Sequence, residues 1–219
     1  MLVYGVNVLK ETDPKRIKKV YCSRKELLDY LKNNKIKYEF KDNKFLDNLV
    51  KGNHQGVVLD IYEYDYYKID DIEGNFIVML DHLEDPHNFG AIIRTCVAAG
   101  IKEIIIPKDR SALVNSTVVK VSTGTIEKIK IVMVNNLTDT IKKLQKKGYF
   151  VYASDMNGVN YDTVDYNDKK ILVIGSEGSG VSRLIKQNSD LLIRIPMSND
   201  VDSLNASVAA GILIYEMRD

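Results

Sequence analysis

Ile171-Leu172-Val173-Ile174-Gly175-Ser176-Glu177-Gly178-Ser179-Gly180-Val181 joins a continuous apolar run to three glycines, and a helical pattern follows over 181–188. An unbroken apolar run is expected of a strand covered on both faces, as in a parallel sheet. Glycines between such a strand and a helix make a backbone cradle at the strand's C-terminal end, where open parallel sheets bind ligands. The order is GxxGxG, not GxGxxG, and no Gly-Lys-Ser/Thr follows, so this is neither a dinucleotide fingerprint nor a phosphate loop. Ser176 and Ser179 lack the upstream glycine of a nucleophile elbow, since Ile174 and Glu177 stand there. Glu177 would repel a phosphate, so the cradle suits a cationic or neutral ligand. A plain strand-to-helix turn is the alternative.

Working outward, strand patterns fall at 76–81, 103–106, 129–134, 149–154, 170–175 and 191–195. Helical patterns lie at 88–100, 137–147, 181–188 and 203–217. That alternation predicts an open α/β sheet. Upstream, shorter patterns (a brief helix on Val6 and Leu9, strands at 17–22, 36–40 and 56–62, helices at 24–34 and 41–50) predict a small α/β unit over 1–64. The polar, aperiodic stretch 65–75, closed by Gly74-Asn75, reads as a linker to a larger domain over 76–219.

Two more strand ends carry unusual residues. After Asp81 the chain reads His82-Leu83-Glu84-Asp85-Pro86-His87-Asn88-Phe89-Gly90-Ala91-Ile92-Ile93-Arg94. Asn88 is placed to cap or begin the helix, and Pro86 stiffens its entry. Arg94 interrupts an otherwise apolar helix, where it either meets a bidentate anion or snorkels to solvent. Metal ligation by His82, Asp85 and His87 is disfavoured, because adjacent loop positions lack a distant fourth ligand. The other end runs Ile195-Pro196-Met197-Ser198 to Ser203-Leu204-Asn205-Ala206-Ser207, with Ser203 the natural cap of an all-round apolar helix.

Composition sets the outer bounds. In 219 residues, 31 Lys+Arg against 30 Asp+Glu with 45% hydrophobic content exclude a disordered chain and a polybasic scaffold. The balance conceals an asymmetry: residues 1–60 hold 13 basic and 8 acidic side chains, and the rest hold 18 and 22. A basic front and a mildly acidic body suit different partners. Cys22 and Cys96 stand alone, without metal or redox spacing, which suits a reducing cytoplasm. No apolar run approaches the roughly 20 residues of a membrane span.

Taken together, DPHNFGAIIRT, Ile106-Pro107-Lys108-Asp109-Arg110-Ser111-Ala112, IGSEGSG and IPM…SLNASVAAG resemble the motifs of the SpoU/TrmH class of SPOUT RNA 2′-O-methyltransferases, from about Leu80 to the C-terminus. The front segment, ending in His54-Gln55-Gly56-Val57-Val58, resembles the L30e/L7Ae-like RNA-binding domain of the bacterial large-subunit rRNA (guanosine-2′-O)-methyltransferase group. The resemblance implies a trefoil-knotted α/β domain with a mostly parallel sheet, a homodimer, S-adenosyl-L-methionine (AdoMet) as cofactor, and RNA as partner without metal or membrane. It further implies catalytic roles for Asn88, Arg94, Glu177, Ser203 and Asn205. Gly175, Ile195 and Leu204 would contact AdoMet through backbone atoms, with Thr123, Gly124 and Met197 nearby. The expected reaction is methylation of a guanosine ribose in large-subunit rRNA. A tRNA ribose methyltransferase and a catalytically silent RNA-binding or assembly protein are the alternatives.

Overall fold

The computed structural model describes residues 1–198 and 203–218, so Asn199 to Asp202 of the third motif stretch lie outside the described residues. In chain order the elements are β1 (Leu2–Tyr4), α1 (Val6–Glu11), β2 (Ile17–Cys22), α2 (Leu28–Asn33), β3 (Tyr38–Phe40), α3 (Asn43–Leu49) and β4 (Val57–Ile61). There follow β5 (Phe76–Asp81), α4 (Pro86–Ala98), β6 (Glu103–Pro107), α5 (Ser116–Val121), β7 (Lys130–Val134) and α6 (Leu137–Gln145). The chain ends with β8 (Phe150–Asn160), β9 (Lys170–Gly175), α7 (Arg183–Asn188), β10 (Leu191–Arg194) and α8 (Ala206–Met217).

The chain divides into two units: Met1–Asp65 with Val114–Glu127, and Tyr66–Leu113 with Lys128–Asp219. The first holds a mixed four-stranded sheet of order β1-β4-β2-β3. Its inner face is supplied by Val3, Val20, Leu59 and Ile61, all fully buried. Residues 114–127, which the sequence places inside the 76–219 domain, pack here instead. Arg16 pairs with Glu127, and the Lys120 ammonium sits 4.2 Å over the Tyr4 ring. Burial raises the Glu127 carboxyl, and the neighbouring Arg16 charge opposes that rise. β1 was not legible because three residues carry too little alternation to stand out.

The second unit holds six parallel strands in the order β10-β8-β9-β5-β6-β7. The expected α/β class and mostly parallel sheet are therefore present. Ile104, Ile105, Ile106, Ile171, Leu172 and Val173 are fully buried, as strands covered on both faces require. From β5 the chain winds outward through β6 to β7, then returns to build β8 beyond β9. The strand order thus reverses between β5 and β9, where Asp81 pairs with Gly175 at the C-terminal ends. Ligand sites form at such a switch point.

The stretch 65–75 is not a free linker. Tyr67 donates its N–H to Ile131 (2.9 Å) and accepts from Met133 N–H (3.1 Å), joining the β7 edge, and Tyr149 Oη donates to Gly74 O (2.6 Å). Cys22 and Cys96 are free and buried. Among the described residues no helix is long and apolar enough to cross a membrane.

Candidate functional site

At the β5/β9 switch point Gly175 ends its strand, and the chain folds straight back on it through a bridge between Ser176 and Gly180. A Cβ at Gly175 would stand 2.0 Å from the Gly180 carbonyl carbon and 2.2 Å from Val181 N, so only glycine fits. Gly178 and Gly180 turn the loop with φ of 81° and 63°, values that disfavour a side chain.

The helix after β5 starts earlier than the sequence suggests. Asp85, not Asn88, is the N-cap, accepting from His87 N (3.0 Å) and Asn88 N (3.3 Å), with Pro86 in the first turn. That frees the Asn88 side chain, which is 5% exposed and donates to Glu177 Oε1 at 2.9 Å. The last helix starts later: Asn205, not Ser203, is its cap, its Oδ1 accepting from Ser207 N (2.9 Å), Ser207 Oγ (2.6 Å) and Val208 N (3.3 Å). The amide nitrogen of Asn205 meanwhile reaches Glu177 Oε1 (2.6 Å) and Asn88 Oδ1 (2.9 Å). One residue from each of three motifs, 117 positions apart at the extremes, therefore closes a single cluster.

Two cavities share the cradle. A larger one of about 520 Å³ is walled by Asp81, His82, Asp85, Asn88 and Arg110 on one side of Ser176 and Glu177. A smaller one of about 350 Å³ lies on the other side and is lined by Gly175, Ile195, Met197, Ser203, Leu204 and Leu213. Glu177 thus stands at the seam, and Gly175, Ile195, Leu204 and Met197 gather where the sequence reading groups them. Ser203 lines the smaller cavity without capping.

Three predicted residues are placed elsewhere. Thr123 (φ 54°) and Gly124 (φ 84°) follow α5 in the first unit, and a Cβ on Gly124 would meet Glu11 Cβ at 2.7 Å; neither lines the two cavities. Arg94 is exposed on α4 and lines neither cavity. Six residues after Asn88, it projects from a different face of the same helix.

Sequence reading missed Asp81, which is 1% exposed and accepts from Ser182 N (2.6 Å) and the His82 ring Nδ1 (2.5 Å). An acid closing an apolar strand was the available signal. It missed equally the ion pair of Asp155 with Lys186 (2.8 Å) on the smaller cavity's wall. Burial works to raise the Asp155 carboxyl, but Lys186 and the Asn157 N–H outweigh it and hold it below the usual range. A depressed carboxyl stabilises the fold above its unfolded value, near about 3.9, and loses that contribution as pH falls through the folded value. Lys186→Met is expected to cost about 1 kcal/mol at neutral pH and to flatten the acid loss of stability, read by denaturant unfolding across pH.

The sequence profile of the SpoU rRNA Methylase family matches residues 75–215, and that described as RNA 2′-O ribose methyltransferase substrate binding matches residues 2–67. The Bacillus subtilis protein YacO, whose name places it in the TrmH family of tRNA/rRNA methyltransferases, is 42% identical over 201 residues, covering 88% of this chain and 81% of its own. An AdoMet-bound rRNA methyltransferase from Sinorhizobium meliloti superposes with a TM-score of 0.84 at 30% identity, over 99% of this chain and 85% of that one. The SpoU methyltransferase AviRb from Streptomyces viridochromogenes, solved with AdoMet, shares the fold with a TM-score of 0.84 at 22% identity, over 99% and 88%.

Proposed function

The chain belongs to the SpoU rRNA Methylase family, and from that premise we propose that it transfers a methyl group from AdoMet to a ribose 2′-oxygen of a guanosine in large-subunit rRNA, in the cytoplasm. RNA methyltransfer is the family's chemistry; the nucleotide and the RNA are our reading. The observation that carries it is Glu177, tied to Asn88 and Asn205 on the wall between two cavities.

The smaller cavity fits the cofactor. Its volume suits a ligand of that size, Ile195, Met197, Leu204 and Leu213 give apolar walls, and the Gly175 cradle leaves backbone atoms open to it. In its charged lining Asp155 is paired with Lys186 and Arg194 Nε donates to Asn160, which leaves Glu177 as the carboxylate beside a cationic sulfonium. When bound, AdoMet supplies a methyl group activated by the positive sulfur. The larger cavity, where Asp81, Glu84, Asp85 and Glu177 outnumber Arg110, is then the place for the uncharged ribose and base of the target nucleotide and not for its phosphate. Asn88 and Asn205 fix one Glu177 oxygen, so the carboxylate cannot swing. Rigid placement of hydroxyl and methyl is worth orders of magnitude in rate, because a ribose hydroxyl is a weak nucleophile until it is oriented and polarised.

A homodimer and a threaded C-terminus belong to the same reading. α8 returns from the β10 edge to pack on β9 and α4, the path a threaded terminus takes. Its outer face leaves Val208 (50%) and Tyr215 (45%) exposed, an apolar surface suited to a second copy. Arg94, exposed on the adjoining helix, would enter the partner's site across that interface, anchoring RNA phosphate and stabilising developing alkoxide charge.

The test is methyl-labelled AdoMet with unmodified large-subunit rRNA and tRNA pools, followed by mapping of the labelled nucleotide. Ribose label on an rRNA guanosine is the expected result. Label in tRNA alone would move the substrate to the second RNA class, and AdoMet binding without transfer to any RNA would leave a silent binder.

A further inference from the structure

The first unit carries its own cavity, of about 530 Å³, opening between the end of β2, the start of α3 and the loop before β4. The loop 52–56 is held rigidly. Gly52, Gln55 and Gly56 all have positive φ (149°, 54° and 76°), and a Cβ on Gly56 would meet Arg24 Cγ at 2.6 Å and Ser23 Oγ at 2.7 Å. His54, 8% exposed, uses both ring nitrogens: Nδ1 accepts from Gly56 N (2.9 Å), which leaves Nε2 to donate to Asp47 (3.0 Å). Such a loop presents its remaining groups at fixed positions.

Donors predominate among those groups. Asn43 Oδ1 accepts from Ser23 Oγ (2.6 Å), Asn53 Oδ1 from Gln55 N (3.3 Å), and Gln55 Oε1 from Val6 N (3.0 Å). Each amide therefore engages its oxygen within the protein and leaves its NH₂ for a ligand. Arg24 adds a guanidinium whose partner, Glu26, is exposed, so the pair exchanges readily for a ligand anion. Asp47, the single carboxylate of the lining, gives its Oδ1 to His54 and keeps its other oxygen. Three amide NH₂ groups and a guanidinium thus stand against one free carboxylate oxygen, so donors predominate in the cleft.

We propose that this cleft binds an unpaired RNA base by an edge that carries acceptors only. The Hoogsteen edges of guanine and uracil meet that condition, whereas adenine and cytosine place an amino donor there. A paired base hides its other edge and stacks both faces, so recognition of this kind falls on loops and bulges. The proposal rests on the reading of the chain as an RNA methyltransferase, and it gives the basic front unit a sequence preference beyond charge.

The full chain is titrated with single-stranded oligonucleotides of about twelve nucleotides, all U, all A or all C, at fixed salt. Uridine is expected to bind about tenfold tighter than the other two, a difference two hydrogen bonds supply. N53D/Q55E keeps both internal acceptors and turns both free donors into acceptors. It should abolish the uridine preference, while K32Q/K35Q, with the same change in net charge, should keep it. The two double variants should share the wild-type melting temperature. Equal affinity for all three oligonucleotides would show phosphate contact alone and overturn the proposal, as would a preference that survives N53D/Q55E. A wild-type chain that prefers uridine yet methylates no RNA would sink the enzymatic reading and leave the cleft standing.

Discussion

Gly175→Ala is expected to abolish cofactor binding, by at least about a hundredfold, with the chain still folded. The added Cβ would lie 2.0 Å from the Gly180 carbonyl carbon, 2.2 Å from Val181 N and 2.3 Å from Gly180 O. All three are backbone atoms, so no side-chain rotation relieves the overlap. The loop must move away from β9, and it carries Glu177 and the Ser176–Gly180 bridge with it. A displacement near 1 Å is enough to cost orders of magnitude where geometry is the main contribution to rate. Gly178 provides the contrast. Nothing lies within 4 Å of a Cβ there, and the cost is confined to its φ of 81°, about 1 kcal/mol. Calorimetric titration with AdoMet should therefore separate a null Gly175→Ala from a weakened but binding Gly178→Ala. Equal affinity for the two variants would show that the cradle is not the cofactor site.

Why the cradle was legible and other parts were not has a physical answer. Ile171 to Ile174 form an unbroken apolar run because both faces of β9 are covered, and such runs survive any context. The helix starts were harder. Asp85, Asn88, Ser203 and Asn205 are all good capping residues, and only tertiary contact decides between them. Asn88 is drawn inward by Glu177, leaving the cap to Asp85, whereas Asn205 does both tasks with opposite ends of one amide. The placement of 114–127 was invisible for another reason. Its attachment is made by single side chains, Glu127 to Arg16 and Lys120 to Tyr4, that no periodicity records. The tie of Tyr67 to β7 was hidden likewise, because main-chain hydrogen bonds at a sheet edge leave no mark on composition. The charge asymmetry is more informative than the near-zero total: the donor-rich cleft and the excess of lysines share the front unit, while carboxylates outnumber cations around the larger cavity at the β5/β9 switch point.

Arg94→Ala should remove turnover almost entirely while leaving AdoMet affinity close to wild type, since Arg94 lines neither cavity. The stronger prediction concerns mixtures. If Arg94 acts in the partner's site, a dimer of one Arg94→Ala chain and one Gly175→Ala chain has one complete site: the intact cradle of the first with the arginine of the second. Random pairing of equal amounts makes half the dimers mixed, so about a quarter of wild-type activity should return from two variants that are each inactive alone. If Arg94 serves its own chain's cavity, every site in the mixture lacks either the arginine or the cradle, and no activity returns. Subunit exchange is secured by co-expression with two different affinity tags, and the mixed dimer is isolated before assay. Activity in that species places Arg94 across the interface and makes the dimer part of the active site. Its absence would return Arg94 to its own subunit, where it lines neither cavity and would meet RNA outside both.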